Sequence, residues 1–198
     1  MTISGVILAG GQSRRMGRDK ALLPVDGRVL VEVIAGRLRE AALDPLLVVT
    51  NAPEGFAHLA DAGFRTAGDA LPSGHPLAGV YTGVLHANGP AFVCACDMPF
   101  LNPALIRYLA ALADDADVVI PRHSRGYEPL HAVYTPACLA AMRRCVARQG
   151  PTTGFFDEVR VRAVEEDELR RLDPTLASFE NINTPAEYAA ALVRLRSP

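Results

Sequence analysis

The sequence predicts an α/β fold in which helices cover both faces of a central sheet, so that the molecule has three layers. Two observations lead to this prediction. Apolar, β-rich segments alternate along the chain with segments of helical periodicity, which is the pattern of a layered α/β sheet. The strand-like segment FVCAC, residues 92–96, is apolar at consecutive positions, which indicates burial on both faces by flanking helices.

The predicted elements follow one another in regular alternation. Strands are predicted where short apolar runs end at turn residues, at 3–8, 46–50, 64–67, 92–96, 118–121 and 130–134. Helices are predicted where apolar residues recur along one stripe, at 29–42, 77–86, 103–113, 137–148 and 185–195. Residues 151–173 are polar and mixed in pattern and receive no assignment. Because no low-complexity tract divides the 198 residues, we expect one domain over residues 1–198.

Composition excludes several classes of protein. The chain carries 20 Lys and Arg against 22 Asp and Glu, so it has no broad attraction for nucleic acid or an anionic membrane. No apolar stretch approaches the roughly 20 residues of a membrane span, and the N-terminus lacks the order of a signal peptide. We therefore expect a cytoplasmic protein. Cys94 and Cys96 lack zinc-site spacing and are expected to be buried apolar side chains.

A glycine pair and a cluster of positive charge follow the first predicted strand. Glycines at Gly10 and Gly11 let backbone amides approach a phosphate, although the loop has neither a Walker motif nor a dinucleotide fingerprint. The basic residues that come next are Arg14, Arg15, Arg18 and Lys20. Such a cluster repels itself, and a polyanionic ligand would relieve the repulsion. The alternative is a solvated turn whose arginines point outward.

Two carboxylates follow predicted strands, at the sheet edge where open α/β sheets bind ligands. Asp97 comes directly after FVCAC, and Asp69 follows FRTAG. A carboxylate at the end of a buried strand is costly unless it is hydrogen-bonded, paired or bound to a cation. Mg²⁺ suits Asp97, since it takes one or two protein carboxylates with phosphate and water oxygens. The alternative for both residues is a capped or ordinary turn.

These residues belong to a recognisable pattern. Residues 8–20 read LAGGQSRRMGRDK and match, without a gap, the LAGGxSxRMGxDK opening of a group of nucleotidyltransferases. The chain resembles this group, and most closely the molybdenum cofactor guanylyltransferases of the MobA family. Further matches are PLAG at 76–79, CDMPFL at 96–101, EPLHAVY at 128–134 and NINTPAE at 181–187, so the resemblance covers nearly the whole chain.

The resemblance implies a Rossmann-like three-layer α/β/α sandwich with a mostly parallel sheet, of the nucleotide-diphospho-sugar transferase type. It also implies transfer of GMP from GTP to the terminal phosphate of molybdopterin, with release of pyrophosphate and with Mg²⁺ as cofactor. The nucleotide half would be roughly residues 1–100 and the acceptor half roughly 101–198. Transient contact with proteins that deliver or receive the cofactor stays open.

Carried onto this sequence, the functional residues of the family fall at definite positions. The nucleotide-binding positions are Leu8, Ala9, Gly10, Gly11, Lys20, Asn51, Asp69 and Asp97. Lys20 would contact the phosphates and Asp97 would hold the Mg²⁺, and with Arg15 they are the candidate catalytic residues. The local alignment also allows Thr50 in place of Asn51. Where relatives commonly read Gly-Pro-Leu-x-Gly, this chain departs from the family pattern with His75 before Pro76.

The segment NINTPAE, residues 181–187, carries two kinds of signal. Thr184, Pro185 and Glu187 have the form of a capping box at a helix start. Capping leaves Asn181 and Asn183 unexplained, and their spacing of two presents both amides to one side of an extended segment. The resemblance assigns them to acceptor binding. His131 either lines the acceptor site or is a buried histidine, and the residues leave both open.

Three other functions compete with guanylyl transfer. The nearest is CMP transfer to the same pterin, against which the Gly10-Gly11 pair speaks, because cytidylyl relatives tend to carry Ala-Ala-Gly there. A sugar-phosphate nucleotidyltransferase is usually a longer chain. A nucleotide-binding protein without turnover has less use for Lys20 and Asp97 together.

Overall fold

The computed structural model describes residues 2–9, 19–60, 62–71 and 74–196. The strands within these ranges are β1 (Ser4–Leu8), β2 (Pro24–Val25), β3 (Arg28–Val29), β4 (Leu46–Val49), β5 (Phe64–Ala67), β6 (Ala91–Ala95), β7 (Val118–His123), β8 (Gly126–Tyr127), β9 (His131–Tyr134) and β10 (Val161–Glu165). The helices are α1 (Leu30–Glu40), α2 (Pro76–His86), α3 (Pro103–Ala111), α4 (Leu139–Ala147), α5 (Glu166–Leu172) and α6 (Pro185–Arg196). None of these helices in the described ranges has the length and apolar character that crossing a bilayer requires.

The strands form a mostly parallel sheet, as predicted. Its order is β10-β7-β9-β6-β1-β4-β5, with β8 paired to β7, while β2 and β3 form a separate hairpin. β1 lies at the centre and pairs in parallel with β4 and β6, and β4 pairs in parallel with β5. β9 runs against its neighbours β6 and β7, whereas β10 is parallel to β7. The fold is therefore the predicted Rossmann-like α/β type, in which β9 and the short β8 run against the other strands of the sheet.

Helices cover both faces of the sheet. Consecutive residues of β1 point to opposite sides: Val6 belongs to one apolar cluster and Ile7 to the other, and both are fully buried. Residues of α1, α3 and α5 contribute to the cluster around Ile7, and residues of α2 and α4 contribute to the cluster around Val6. Consecutive apolar positions in the central strands are thus explained by burial on two sides.

Most predicted elements are present with small shifts of their ends. The strand predicted at 92–96 is Ala91–Ala95, and the strand predicted at 118–121 continues to His123. The helix predicted at 137–148 begins with a 3-10 turn, Pro136–Cys138, before α4 starts at Leu139. The start shifts because Pro136 lies at the first position of that turn, where its missing amide hydrogen is tolerated.

The unassigned segment 151–173 contains an edge strand, β10, and a short helix, α5. Periodicity is weak there because Leu169 is the only buried residue of α5. The helix start depends instead on side-chain contacts. The amide of Glu165 donates to Glu168 Oε1 at 3.4 Å, and Arg162 pairs with Glu168 at 2.9 Å. These contacts depend on which elements meet, so the hydrophobic pattern does not report them.

Glycines let a helix and a strand approach β1 closely. A Cβ atom on Gly83 of α2 would lie 2.5 Å from Val6 Cγ1, and one on Gly5 would lie 2.6 Å from Leu46 Cδ2. Both distances are far below van der Waals contact. α2 therefore packs closely against β1, the central strand of the sheet.

We expect opposite effects from alanine at two helical glycines. Gly83→Ala should destabilise the fold by about 1–3 kcal/mol, because Val6 is a stiff, fully buried side chain on the central strand. Gly36→Ala in α1 meets no atom within 4 Å and should stabilise the fold by about 0.5–1 kcal/mol through helix propensity. Urea unfolding of both variants measures the difference, and equal effects would contradict the close packing of α2 on β1.

Candidate active site

Four parallel strands end side by side at one edge of the sheet. The register pairs Leu8 with Ala95 on one side and with Val49 on the other, and pairs Val49 with Ala67. With about 4.8 Å between strands, the ends of β6, β1, β4 and β5 span roughly 14 Å. Asn51, Asp69 and Asp97, which follow β4, β5 and β6, therefore share one edge, and open α/β sheets bind ligands at this edge.

The structure brings Lys20, Asp97 and Asn183 into direct contact. Lys20 Nζ donates to Asp97 Oδ2 at 2.8 Å and to Asn183 Oδ1 at 2.8 Å. The side chains of Lys20 and Asp97 are only 16% and 17% exposed. Asp97 lies 77 positions and Asn183 lies 163 positions from Lys20 in the sequence, so only the fold brings the three residues together. A candidate nucleotide residue, a candidate metal ligand and a candidate acceptor residue thus form one cluster.

Lys20 is held by a short 3-10 turn that Asp19 caps. Asp19 Oδ1 accepts a hydrogen bond from the amide of Ala21 at 3.0 Å, and Ala21 is fully buried in the core. Burial raises the pKa of Asp19 above its usual range, although the hydrogen bond from Ala21 opposes that shift. This role of Asp19 was not predicted from the sequence. The signal was an N-cap residue type directly before the lysine.

Asn183 is held by the start of α6 and by the backbone beside Asp97. Glu187 Oε2 accepts from the amides of Asn183 at 2.7 Å and Thr184 at 2.9 Å, and the Glu187 amide donates to Thr184 Oγ1 at 3.2 Å. The predicted capping box is therefore present. Ile182 is buried between the exposed Asn181 and Asn183, and its amide donates to the carbonyl of Asp97 at 2.9 Å.

Asn51 and Asp69 form a second cluster at the same edge. Asn51 Nδ2 donates to Asp69 Oδ2 at 2.8 Å, and the Asp69 amide donates to Asn51 Oδ1 at 3.1 Å. A Cβ atom on Gly79 of α2 would lie 3.9 Å from Asp69 Oδ1, so the start of α2 closes one side of this cluster. Thr50, the alternative to Asn51, is 2% exposed, and its hydroxyl accepts from the Ala52 amide.

The remaining predicted nucleotide residues divide into two groups. Leu8 and Ala9 are buried, and their backbones are engaged in the sheet: Ala9 N donates to Val49 O, and Leu8 O accepts from Cys96 N. Any contact of Ala9 with a ligand therefore excludes its amide hydrogen. Gly10, Gly11 and Arg15 lie outside the described residues.

Two histidines near this edge, His75 and His131, make contacts that stabilise the fold. His75 caps α2, since its Nδ1 accepts from the Leu77 amide at 3.1 Å. His131 is fully buried, and burial lowers its pKa to about 3, so the ring is neutral at physiological pH. It packs edge-to-face against Phe92 and Phe179, with ring centroids 5.0 and 4.9 Å away. Phe179 lies two residues before Asn181, so His131 packs against the chain that leads into the asparagine segment.

The donor set at Asp97 is suited to a hard divalent cation that binds mainly to phosphate. Oδ2 of Asp97 accepts from Lys20, and Oδ1 has no hydrogen-bond partner among the described residues. Within the same residues no group of three or more His, Cys, Asp and Glu side chains could enclose a metal. One carboxylate with a free oxygen is compatible with Mg²⁺, which binds through one or two protein carboxylates when a phosphate ligand supplies further oxygens.

An ammonium, a carboxylate and several amides at the carboxyl edge of a parallel sheet are typical of nucleotide-binding α/β proteins. Comparison with known proteins gives the family. The family described as MobA-like NTP transferase domain matches residues 5–163. A probable molybdenum cofactor guanylyltransferase from Pelotomaculum thermopropionicum is 37% identical over 192 residues, 96% of this chain and 92% of that protein. The corresponding protein from Desulfosudis oleivorans is 35% identical over 98% of this chain and 96% of its own.

Solved structures agree in fold. The structure of molybdopterin-guanine dinucleotide biosynthesis protein A from Archaeoglobus fulgidus superposes with a TM-score of 0.83, covering 99% of this chain and 100% of that one at 24% identity. A nucleotidyl transferase from Methanothermobacter gives a TM-score of 0.71 at 22% identity. The chain therefore belongs to the family of MobA-like NTP transferase domains.

The capping carboxylate of Glu187 should titrate below the ordinary glutamate range. Hydrogen bonds from the amides of Asn183 and Thr184 lower its pKa, so its stabilising effect is present above the ordinary value of about 4.3 and is lost as the pH falls through the lowered value. NMR titration of the Asn183 and Thr184 amides measures the midpoint. A midpoint at or above the ordinary value would contradict this capping role, and Glu187→Gln should abolish the titration.

Proposed function

We propose that this protein transfers GMP from GTP to the terminal phosphate of molybdopterin and releases pyrophosphate. The observation that carries the proposal is the contact of Lys20 with both Asp97 and Asn183, at 2.8 Å each, in a chain related over nearly its full length to molybdenum cofactor guanylyltransferases. The contact joins a cation for phosphates and a carboxylate for metal to an amide on the segment that the family resemblance assigns to the acceptor.

The reaction joins two anions and requires little acid–base chemistry. An oxygen of the acceptor phosphate attacks the α-phosphorus of GTP, a new P–O bond forms, and the bond to the bridging oxygen of pyrophosphate breaks. A phosphate monoester has a second pKa near 6 and is largely dianionic at pH 7, so it needs no strong general base. The residues of the protein therefore have to align the reactants and reduce their mutual repulsion.

Lys20 and Asp97 divide these tasks. The Lys20 ammonium is a compact cation that can donate to phosphate oxygens, and its turn is fixed by the Asp19 cap. Asp97 is the residue that would hold Mg²⁺, which when bound neutralises triphosphate charge and assists pyrophosphate as a leaving group. Arg15, which lies outside the described residues, is proposed as a further cation.

The two ends of the sheet edge would receive the two substrates. Asn51 and Asp69, locked together after β4 and β5, offer amide and carboxylate groups to the nucleoside on one side. Asn181 and Asn183 are exposed and flank Ile182, whose amide donates to the Asp97 carbonyl, and the acceptor phosphate would approach there. Thr50 is less suited to nucleotide contact than Asn51, because Thr50 is buried and its hydroxyl accepts a hydrogen bond from the Ala52 amide.

One assay tests the proposal. Purified protein is incubated with Mg²⁺, molybdopterin and each nucleoside triphosphate in turn, and pyrophosphate and the dinucleotide product are measured. We expect release with GTP and not with CTP. Selectivity for CTP would instead support cytidylyl transfer, and tight nucleotide binding without release would exclude an enzymatic role.

Loss of the Lys20 charge should reduce turnover strongly. One opposite unit charge about 4 Å away contributes about 4 kcal/mol at an effective dielectric near 20, or roughly three decades in rate if it acts only in the transition state. Because Lys20 retains 16% exposure, we expect Lys20→Ala to lower kcat about 100- to 1000-fold, with the melting temperature as control for folding. Near-normal turnover would exclude this role.

Asp97→Asn should change the dependence on metal. The amide keeps the shape of the side chain but cannot supply an anionic ligand, so the Mg²⁺ concentration for half-maximal activity should rise at least about tenfold. The matched control is Asp117→Asn, because Asp117 is also a partly buried, paired carboxylate but lies at the start of β7, paired with Arg160. An unchanged Mg²⁺ dependence in Asp97→Asn would contradict the assignment.

A further inference from the structure

Lys20 is the only lysine in the chain, whose other basic residues are all arginine. Arginine binds a carboxylate through a rigid fork of two parallel hydrogen bonds, whereas the lysine ammonium is a point charge on a flexible stem. A flexible point charge can leave one oxygen for another with little geometric cost. Lys20 is therefore better suited than an arginine to change partners from one oxygen to another.

Asp97 has two possible cationic partners, and the described structure contains one of them. Lys20 Nζ forms an ion pair with Asp97 Oδ2 at 2.8 Å, and both side chains are mostly shielded from water. A divalent cation at the same carboxylate would face the ammonium at short range, where like charges repel strongly. Metal binding to Asp97 and the Lys20–Asp97 ion pair therefore oppose each other.

The other partner of Lys20 cannot relieve this conflict. Asn183 accepts from Nζ through a neutral amide oxygen, so it gives the ammonium a hydrogen bond and no compensating charge. Within the described residues Asp97 is the only anionic group in an ion pair with Lys20. A bound triphosphate, with several anionic oxygens, is the ligand that can compete with Asp97 for the ammonium.

We propose that Lys20 acts as a counter-ion that inhibits the binding of free metal to Asp97. When a nucleoside triphosphate binds, its phosphate oxygens replace Asp97 as the partner of the ammonium, and metal can then bind to Asp97. This inference rests on the proposed metal role of Asp97. The metal and the nucleotide then bind with positive coupling, because each weakens the Lys20–Asp97 ion pair that resists the other. An enzyme built this way takes up its metal with the nucleotide and resists loading by metal alone.

Binding of Mn²⁺ to the full-length chain tests the inference without any measurement of turnover. Free Mn²⁺ is measured by electron paramagnetic resonance, with and without an α,β-methylene analogue of GTP, and binding that survives Asp97→Asn is subtracted. Without nucleotide, Lys20→Gln should bind Mn²⁺ at least about tenfold more tightly than the unaltered protein. The analogue should raise the affinity of the unaltered protein by about tenfold or more, and that of Lys20→Gln by much less.

Arg37→Gln is the matched control. It also removes one cation of an ion pair, with Glu40 at 3.3 Å, but on the exposed surface of α1. Its Mn²⁺ affinity should equal that of the unaltered protein. Equal tightening in Arg37→Gln would overturn the inference, because net charge alone would then explain the effect.

The single lysine gives a second readout. Protein grown with ¹³C-lysine has one lysine Cε signal, which should stay in place when Mg²⁺ is added alone and shift when Mg²⁺ and the analogue are added together.

Equal, tight Mn²⁺ binding in the unaltered protein and Lys20→Gln would overturn the inference and leave Asp97 as a metal ligand. No Asp97-dependent binding in either protein would overturn both the inference and the proposed metal role.

Discussion

The ion pair between Lys20 and Asp97 is the constraint on which the site depends. A carboxylate at the end of a buried strand and an ammonium on a short turn are each costly where they lie unless they are paired. At 2.8 Å they satisfy each other, and their shielding from water strengthens the pair. The same two charges are those that a metal-bound triphosphate would engage. The stability of this pair and the proposed binding of a metal-bound triphosphate therefore depend on the same two charges.

Three distant parts of the chain meet at this pair, and each is fixed by ordinary structural means. Lys20 depends on the Asp19 cap and the buried Ala21. Asp97 depends on β6, which is held between β1 and β9. Asn183 depends on a backbone hydrogen bond next to Asp97 and on the capping box of α6. This explains why the sequence motifs of the family extend along almost the whole chain.

The sequence predicted the layered fold and most elements because burial on two faces leaves a strong pattern, as in β1 and β6. It did not predict β10 and α5, since an edge strand and a helix with one buried residue leave little pattern. Strand ends placed Asp69 and Asp97 at one edge of the sheet, because parallel strands bring their carboxyl ends together. The contact of Lys20 with Asn183 joins residues 163 positions apart, and no local pattern reports such a distance. The residue type of Asp19 is typical of an N-cap, but this cap was not among the features predicted from the sequence.

The central claim is that the Lys20–Asp97 ion pair breaks when substrate binds: Lys20 then binds the triphosphate and Asp97 binds the metal. A crystal structure with Mn²⁺ and the α,β-methylene analogue of GTP tests it most directly, because anomalous scattering locates the metal independently of the protein. The account predicts Mn²⁺ on the Asp97 carboxylate and the Lys20 ammonium on phosphate oxygens. Nucleotide bound with Lys20 still paired to Asp97, and Mn²⁺ held by other residues, would contradict it.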